Sequence, residues 1–375
     1  MNDKEAFILL NMVSGLGIKR LNLLLETFGS AVAILTSKLE DLQKLPSIGF
    51  NIALGIRKVN DTQLLEQEFK LIRDNSVVVH NFFDDEYPFS LKQIYDPPIL
   101  IYRKGKIGTC NNVGVGIVGS RKASSYGLKM ARDFSSKLAE AKIVVVSGLA
   151  RGIDTASHKA VLESRGATVA VLGSGLANIY PVENKALAEQ ITKTGELISE
   201  FPMKEIPKAN NFPRRNRIIS ALSRVVLVVE AAQKSGALIT ADFALEQGKD
   251  VYAVPGDLDN PNSAGTNNLI KQGAGLIESA EELLKELSLD IKKDLDRKID
   301  KNKKGLFTSM SLSEEQLRVI SILSDDPVDM ENIVQAVKIN PDKLMDTLIQ
   351  LEMNNLIKQL PGKRFVLKKE SFLYE

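Results

Sequence analysis

Six apolar, β-branched runs constrain this chain most: 115–118, 143–147, 168–172, 196–199, 225–229 and 251–254, each separated from the next by a stretch long enough for a helix. Strands apolar on both faces must be covered on both, and parallel neighbours need a crossover of a dozen or more residues. The alternation predicts an α/β protein with an extended Rossmann-like, mostly parallel sheet over 76–289. Most runs end in small-residue loops: Gly119-Ser-Arg-Lys122, Ser147-Gly148, Gly173-Ser-Gly175, 231–236 and Pro255-Gly256. Such sheets bind ligands beyond the carboxyl ends of their strands, so these loops should converge on one crevice.

Within that pattern, Phe212-Pro-Arg-Arg-Asn-Arg-Ile-Ile-Ser220 sets Arg214, Arg215, Asn216 and Arg217 at the opening of a predicted helix. A helix start presents unpaired N–H groups and partial positive charge. Arginine adds a planar fork that meets phosphate oxygens two at a time and stacks on a base. The motif reads either as a phosphate site or as a solvated cationic helix end. A second arginine, Arg121, at another strand-end loop favours phosphate; its alternative is a structural pair with Asp154 or Glu230. The first loop lacks the G-x-G-x-x-G and ribose-holding acid of a dinucleotide enzyme, and no Gly-Lys is followed by Ser or Thr as in a Walker A loop. No cofactor is therefore expected.

Catalytic candidates are few. His80 and His158 are the two histidines, and Asp154 precedes His158 by one helical turn. The pair reads as a capping aspartate beside a hydrogen-bonded structural histidine rather than as an acid–base couple. No G-x-S-x-G elbow is present. The lone Cys110 excludes an internal disulfide and a Cys-rich zinc site, and suits a reducing, cytoplasmic setting. No metal framework or membrane-length apolar run is visible. Net charge is only +2, but 204–217 gathers Lys204, Lys208, Arg214, Arg215 and Arg217 against Glu205 alone.

The flanks differ in character. Residues 1–75 read as short helices joined by the glycine turns Ser14-Gly-Leu-Gly-Ile18 and Leu45-Pro-Ser-Ile-Gly49, with Ser37 and Glu40 forming a capping box. This SAM-like, helix-hairpin-helix pattern carries Lys19 and Arg20 at its first turn and Arg57 after its second, and serves either DNA or structural and protein contacts. A charged linker is expected over 290–307 and a winged helix over 308–375. There Ser313 and Gln316 cap a first helix, Asn340-Pro-Asp342 starts a third running to about Asn354, and 357–359 with 364–367 flank a Pro361-Gly362 wing turn. The third helix carries Asp342, Asp346 and Glu352 against Lys343, which favours a protein-contact or regulatory role over duplex reading.

The ordered series Gly119-Ser-Arg121, Tyr126-Gly127, Ser147-Gly-Leu-Ala-Arg-Gly-Ile-Asp154, Gly173-Ser-Gly175, Tyr180-Pro181, Phe212-Pro-Arg-Arg-Asn-Arg-Ile-Ile219, Glu230-Ala231, Ser235-Gly-Ala-Leu-Ile-Thr-Ala241, Ala253-Val-Pro-Gly256 and Gly273-Ala274 closely resembles the DNA-processing protein A family, DprA or Smf, over roughly 82–280. The resemblance implies a dimerising Rossmann domain that binds and protects single-stranded DNA entering a bacterium during natural transformation and loads RecA recombinase onto it. It implies that Ser120, Arg121, Lys122, Lys208, Phe212, Arg214 and Arg217 line the DNA channel, with Phe212 as a stacking face. Gly119, Ser147, Gly148, Gly173, Arg215, Asn216, Ser235 and Gly236, from the same loops and motif, complete the candidate set. Binding by backbone and ring faces should be largely sequence-independent and weaken steeply with salt. The alternative is a nucleotide-binding enzyme of the phosphoribohydrolase, lysine-decarboxylase-like type, whose Pro-Gly-Gly-x-Gly-Thr loop is replaced here by Ser235-Gly-Ala-Leu-Ile-Thr240.

Overall fold

The computed structural model describes residues 1–288, 313–323, 327–337, 340–353, 356–360, 362 and 364–367; the linker expected over 290–307 lies outside them. The chain divides into two units, Met1–Leu287 and Ser288–Glu375. In the first, nine strands form one sheet: β1 (Val78–Asn81), β2 (Leu100–Gly105), β3 (Gly114–Val118), β4 (Val144–Ser147), β5 (Thr168–Val171), β6 (Glu196–Ser199), β7 (Val225–Val228), β8 (Val251–Ala253) and β9 (Gly275–Leu276). Their order is β1-β2-β6-β5-β4-β3-β7-β8-β9. Every neighbouring pair from β6 to β9 is parallel, whereas β2 runs antiparallel to β6 and β1 antiparallel to β2.

All six apolar runs are strands of this sheet. Their alternating side chains feed two cores: Ala170 and Leu172 join one, Val169 and Val171 the other. The second core is covered by helices Asn211–Ala221 and Gly236–Glu246, through Ile218, Ile219, Ala237 and Ala241. The first contains Leu187 and Ile191 of helix Lys185–Thr194 and, from the N-terminal helices, Leu10, Leu21, Leu24 and Ile34. The helical segment and the sheet thus share one core. Two polar contacts fix the join: Met203 donates its N–H to buried Glu68 at 2.8 Å, and the Asn11 amide donates to the Glu200 carbonyl at 3.0 Å.

The N-terminal helices follow the glycine turns, with Gly17 and Gly49 as the N-caps of Ile18–Phe28 and Phe50–Val59. The capping box expected at Ser37 and Glu40 is not formed. Lys38 is the N-cap of helix Leu39–Gln43, and the Ser37 hydroxyl donates back to Ile34 O at 2.7 Å, ending the preceding helix instead. Two basic residues of this segment stitch it together: Arg20 donates to Gly15 O and Ser47 O, and Arg57 to Leu35 O and Ser37 O.

In the second unit, helices Glu314–Ile322, Met330–Val337 and Pro341–Met353 accompany a three-stranded sheet in which β12 (Arg364–Leu367) lies between β10 (Val328–Asp329) and β11 (Ile357–Leu360). The Ser313–Gln316 capping box is formed. Leu344, Leu348 and Leu351 of the third helix pack with Val319, Ile333 and Phe365, and Lys343 stands 3.6 Å from Glu315. This is the winged-helix arrangement; Pro361 of its wing turn lies outside the described residues.

Candidate nucleic-acid interface

The winding reverses at β3: the chain steps outward through β4, β5 and β6, then returns to lay β7 on β3's other side. The crevice at such a switch point is where doubly wound sheets bind ligands. Here it is a groove of about 680 Å³ between the loops after β3 and β7 and the start of helix Asn211–Ala221. Gly119, Ser120, Arg121 and Lys122 line it from the first loop, Phe212, Arg215 and Asn216 from the helix, and Ser235 and Gly236 from the last. Gly119 lets the first loop pass so close: an added Cβ would lie 2.5 Å from Ile153 and 2.9 Å from the Glu230 carbonyl.

Arg121 is exposed, and its guanidinium carbon stands 5.1 Å from the centroid of the Phe212 ring. The Tyr180 ring lies tilted to that of Phe212, 5.7 Å away centroid to centroid. The two acids that offered Arg121 a structural partner are engaged elsewhere. Asp154, buried, accepts the N–H groups of Gly148 and Ala150 at 3.1 and 3.2 Å. Glu230 accepts Ser124 N–H at 2.8 Å and the Asn260 amide at 3.2 Å. Among the described residues Arg121 has no carboxylate partner, so its charge faces the groove.

The arginine motif divides between surface and interior. Arg215 runs beneath the groove, 4% exposed, donating to Gly148 O at 2.6 Å, to Val171 O, and to Asn216 Oδ1 at 3.1 Å. Burial lowers its pKa to about 10, opposed by Asp154. Arg217 is likewise buried. It shares Glu200 Oε2 with Arg214, at 2.6 Å from Arg217 and 2.8 Å from Arg214, and donates to Asp96 O at 2.5 Å. Arg217, expected to line the DNA channel, lies off this groove, with its guanidinium on Glu200. Arg214 remains half exposed, its guanidinium 5.6 Å from the Phe201 ring. Lys208 is paired with Glu205 at 2.7 Å and is not a wall of the groove.

Three further candidates act through packing. Ser147 is fully buried and donates to Ile117 O at 2.6 Å. A Cβ at Gly148 would meet the Arg215 guanidinium at 2.5 Å, and one at Gly173 the Phe212 ring at 2.8 Å. These glycines make room for the arginine and the aromatic ring. Sequence reasoning did not single out Lys234 and Asn262, both lining the groove, or Arg151 in the small hollow beside Tyr180 and Phe212. Lys234 lay within the named 231–236 loop, but one lysine in a small-residue loop carries no distinctive spacing. It also passed over Lys249, whose ammonium donates to the carbonyls of Ser220, Ala221 and Ser223 and holds the C-terminal end of the arginine helix.

His158 is interior, with Nδ1 2.8 Å from the Thr168 hydroxyl, which itself donates to Val145 O. That leaves Nδ1 as the donor and Nε2 without a partner. Burial, with Arg215 nearby, pushes the imidazole pKa down to about 3. Below about pH 6.5 the unfolded chain takes a proton here that the folded chain refuses, so stability falls as pH drops from 6.5 toward 3. Melts should show almost no loss from this site near pH 7 and a slope approaching about 1.4 kcal/mol per pH unit about one unit below the unfolded pKa. In His158→Leu that component should vanish; an unchanged slope would place the proton elsewhere.

A doubly wound sheet whose switch-point groove presents Arg121, Lys122 and Lys234 beside an aromatic ring defines a Rossmann-like protein. The chain belongs to the DNA recombination-mediator protein A family, whose model matches residues 78–288. The DprA winged helix domain matches residues 308–363. Among curated relatives, Protein Smf of Escherichia coli (strain K12) is 47% identical over 206 residues, 55% of this chain and 55% of that protein. DNA processing protein DprA of Bacillus subtilis (strain 168) is 46% identical over 204 residues, 54% of this chain and 68% of that protein. The match thus spans about half the length of the Smf relative. The crystal structure of DNA processing protein A from Streptococcus pneumoniae superposes with a TM-score of 0.66 at 35% identity, covering 76% of this chain and 99% of that one. DNA processing protein A from Helicobacter pylori, described for its single-stranded DNA binding mode, superposes at 0.52 with 28% identity, covering 57% and 96%.

Proposed function

We propose that the switch-point groove binds single-stranded DNA, and that through it the protein shields incoming strands and loads RecA recombinase onto them during natural transformation. The observation that carries this reading is Arg121 poised 5.1 Å from the Phe212 ring at the mouth of the groove, with Lys122 and Lys234 exposed beside it. Exposed cations neutralise phosphates, and an aromatic face stacks an unpaired base, a contribution of about 1–3 kcal/mol per base. A duplex keeps its bases stacked internally and forgoes that term. A cytoplasmic homodimer joined through the sheet unit is the form proposed, with RecA as partner and the winged helix as a protein-contact or regulatory module.

Fluorescence anisotropy of labelled oligo-dT and its duplex counterpart across a salt series tests the binding step. Single-strand preference with a steep salt dependence is the expected result; equal affinity for both forms would remove the stacking argument. RecA filament assembly on coated strands tests the second step, and an assembly rate no faster with the protein than without it would remove the mediator role.

A further inference from the structure

The groove opens at β3, but the carboxyl edge of the sheet continues through β4, β5 and β6 to β2. Because β2 is antiparallel, with Tyr102 opposite Ser199 at the end of β6, the residues just before β2 lie on that same edge. Tyr95 stands there, 83% exposed, with Lys19 Nζ 3.3 Å from its ring centroid. The following residue, Asp96, ties this corner to the arginine helix: its carbonyl accepts from Arg217 at 2.5 Å and its carboxylate lies 3.8 Å from the same guanidinium. A Cβ on Gly17 would lie 3.3 Å from Asp96 Oδ1, so the turn that carries Lys19 is packed on this loop. Glu200 then links Arg217 to half-exposed Arg214. Cations and one large exposed ring therefore mark the far end of the edge on which the groove lies, where Glu200 is held by two arginines and the half-exposed Asp96 carboxylate faces Arg217.

We propose that Tyr95 and Lys19 form a second base-and-phosphate station, which extends the single-stranded DNA path from the groove across Arg214 onto the helical segment. The inference rests on the groove reading above. From β3 to β2 are four strand intervals, about 19 Å at roughly 4.8 Å each. A stacked strand spans that distance in about six nucleotides at 3.4 Å per nucleotide. Tyr95 offers a ring and Lys19 a charge, the two elements that sequence-independent single-strand sites combine. The helical segment thereby contributes to the DNA site through the tip of its first glycine turn, while Arg20 and Arg57 stay committed to its own backbone.

The test compares an oligo-dT of about 4 nucleotides with one of about 15, lengths that bracket the site sizes of single-strand binding folds. Anisotropy is measured on the full chain for wild type, Tyr95→Ala, Tyr95→Phe and Arg121→Ala. Tyr95→Ala should weaken the longer oligonucleotide about tenfold and leave the shorter one unchanged, while Tyr95→Phe keeps wild-type affinity for both. Tyr95 is exposed, so a folding defect does not confound the variant. Wild-type affinity of Tyr95→Ala for the longer strand, or an equal loss for both lengths, overturns the second station while the groove stands. Indifference of both lengths to Arg121→Ala overturns the groove reading and the extension with it.

Discussion

Arg121→Ala should lower affinity for single-stranded DNA roughly 30-fold, about 2 kcal/mol for one charge-assisted phosphate contact, and should leave the melting profile unchanged. The expectation rests on where the guanidinium lies. It is exposed, unpaired with any acid among the described residues, and held over Phe212 in the groove wall. Removing it takes one phosphate contact from the complex, so the salt slope should flatten by about one unit. Stability should move by less than about 0.5 kcal/mol, as for other exposed positions without a structural partner. Anisotropy across a salt series and thermal melts on the same preparations read both quantities. Unchanged affinity with an unchanged slope would take the DNA out of this groove. A large drop in melting temperature would show that Arg121 has a structural role its geometry does not reveal.

The parallel core of the sheet was legible because its strands are apolar on both faces: Val144-Val-Val-Ser147 or Val225-Val-Leu-Val228 admit no other placement. The antiparallel edge was not. Val78-Val-His-Asn81 and Leu100-Ile-Tyr-Arg-Lys-Gly105 carry polar residues that hydropathy assigns to solvent, yet Arg103 is 1% exposed. Its charge is matched by Glu196, buried on the neighbouring strand and 93 residues away. Only tertiary pairing makes that strand sequence coherent. The small β9, Gly275–Leu276, is too short to register as a run.

The site divides along the same line. Loops at strand ends were predictable from topology, and with them Ser120, Arg121, Lys122, Ser235 and Gly236. What the sequence did not distinguish was which arginine of Arg-Arg-Asn-Arg faces out, since all three are cationic and helical spacing spreads them around the axis. Arg214 and Arg217, three residues apart, fall on neighbouring positions and share Glu200, while Arg215 turns toward Val171 and Gly148. The deciding partner is an acid on β6's exit, which no local pattern around 214–217 discloses.

Arg217→Ala is the counterpart experiment, and its effect should fall on stability. Glu200 is 1% exposed, its Oε2 meets both guanidinium groups, and its Oε1 has no hydrogen-bond partner. Removing Arg217 leaves that buried carboxylate with Arg214 alone, a half-exposed partner held to it at 2.8 Å. Stripping one member from a buried ion pair costs about 3–5 kcal/mol, and the remaining arginine places this case toward the lower end. The substitution also frees the Asp96 carbonyl, which accepts from the Arg217 guanidinium at 2.5 Å. Urea unfolding should show the midpoint falling at constant slope. Pairing the change with Glu200→Leu, so that no charge is left buried, should recover part of the loss, because apolar replacement of a whole buried pair is often near neutral. Single-strand affinity of the folded Arg217→Ala protein should fall less than threefold, against roughly 30-fold for Arg121→Ala. A DNA defect as large as that of Arg121→Ala with no loss of stability would mean that Arg217 leaves Glu200 when DNA binds, and would turn the Arg214–Glu200–Arg217 trio into a part of the binding surface.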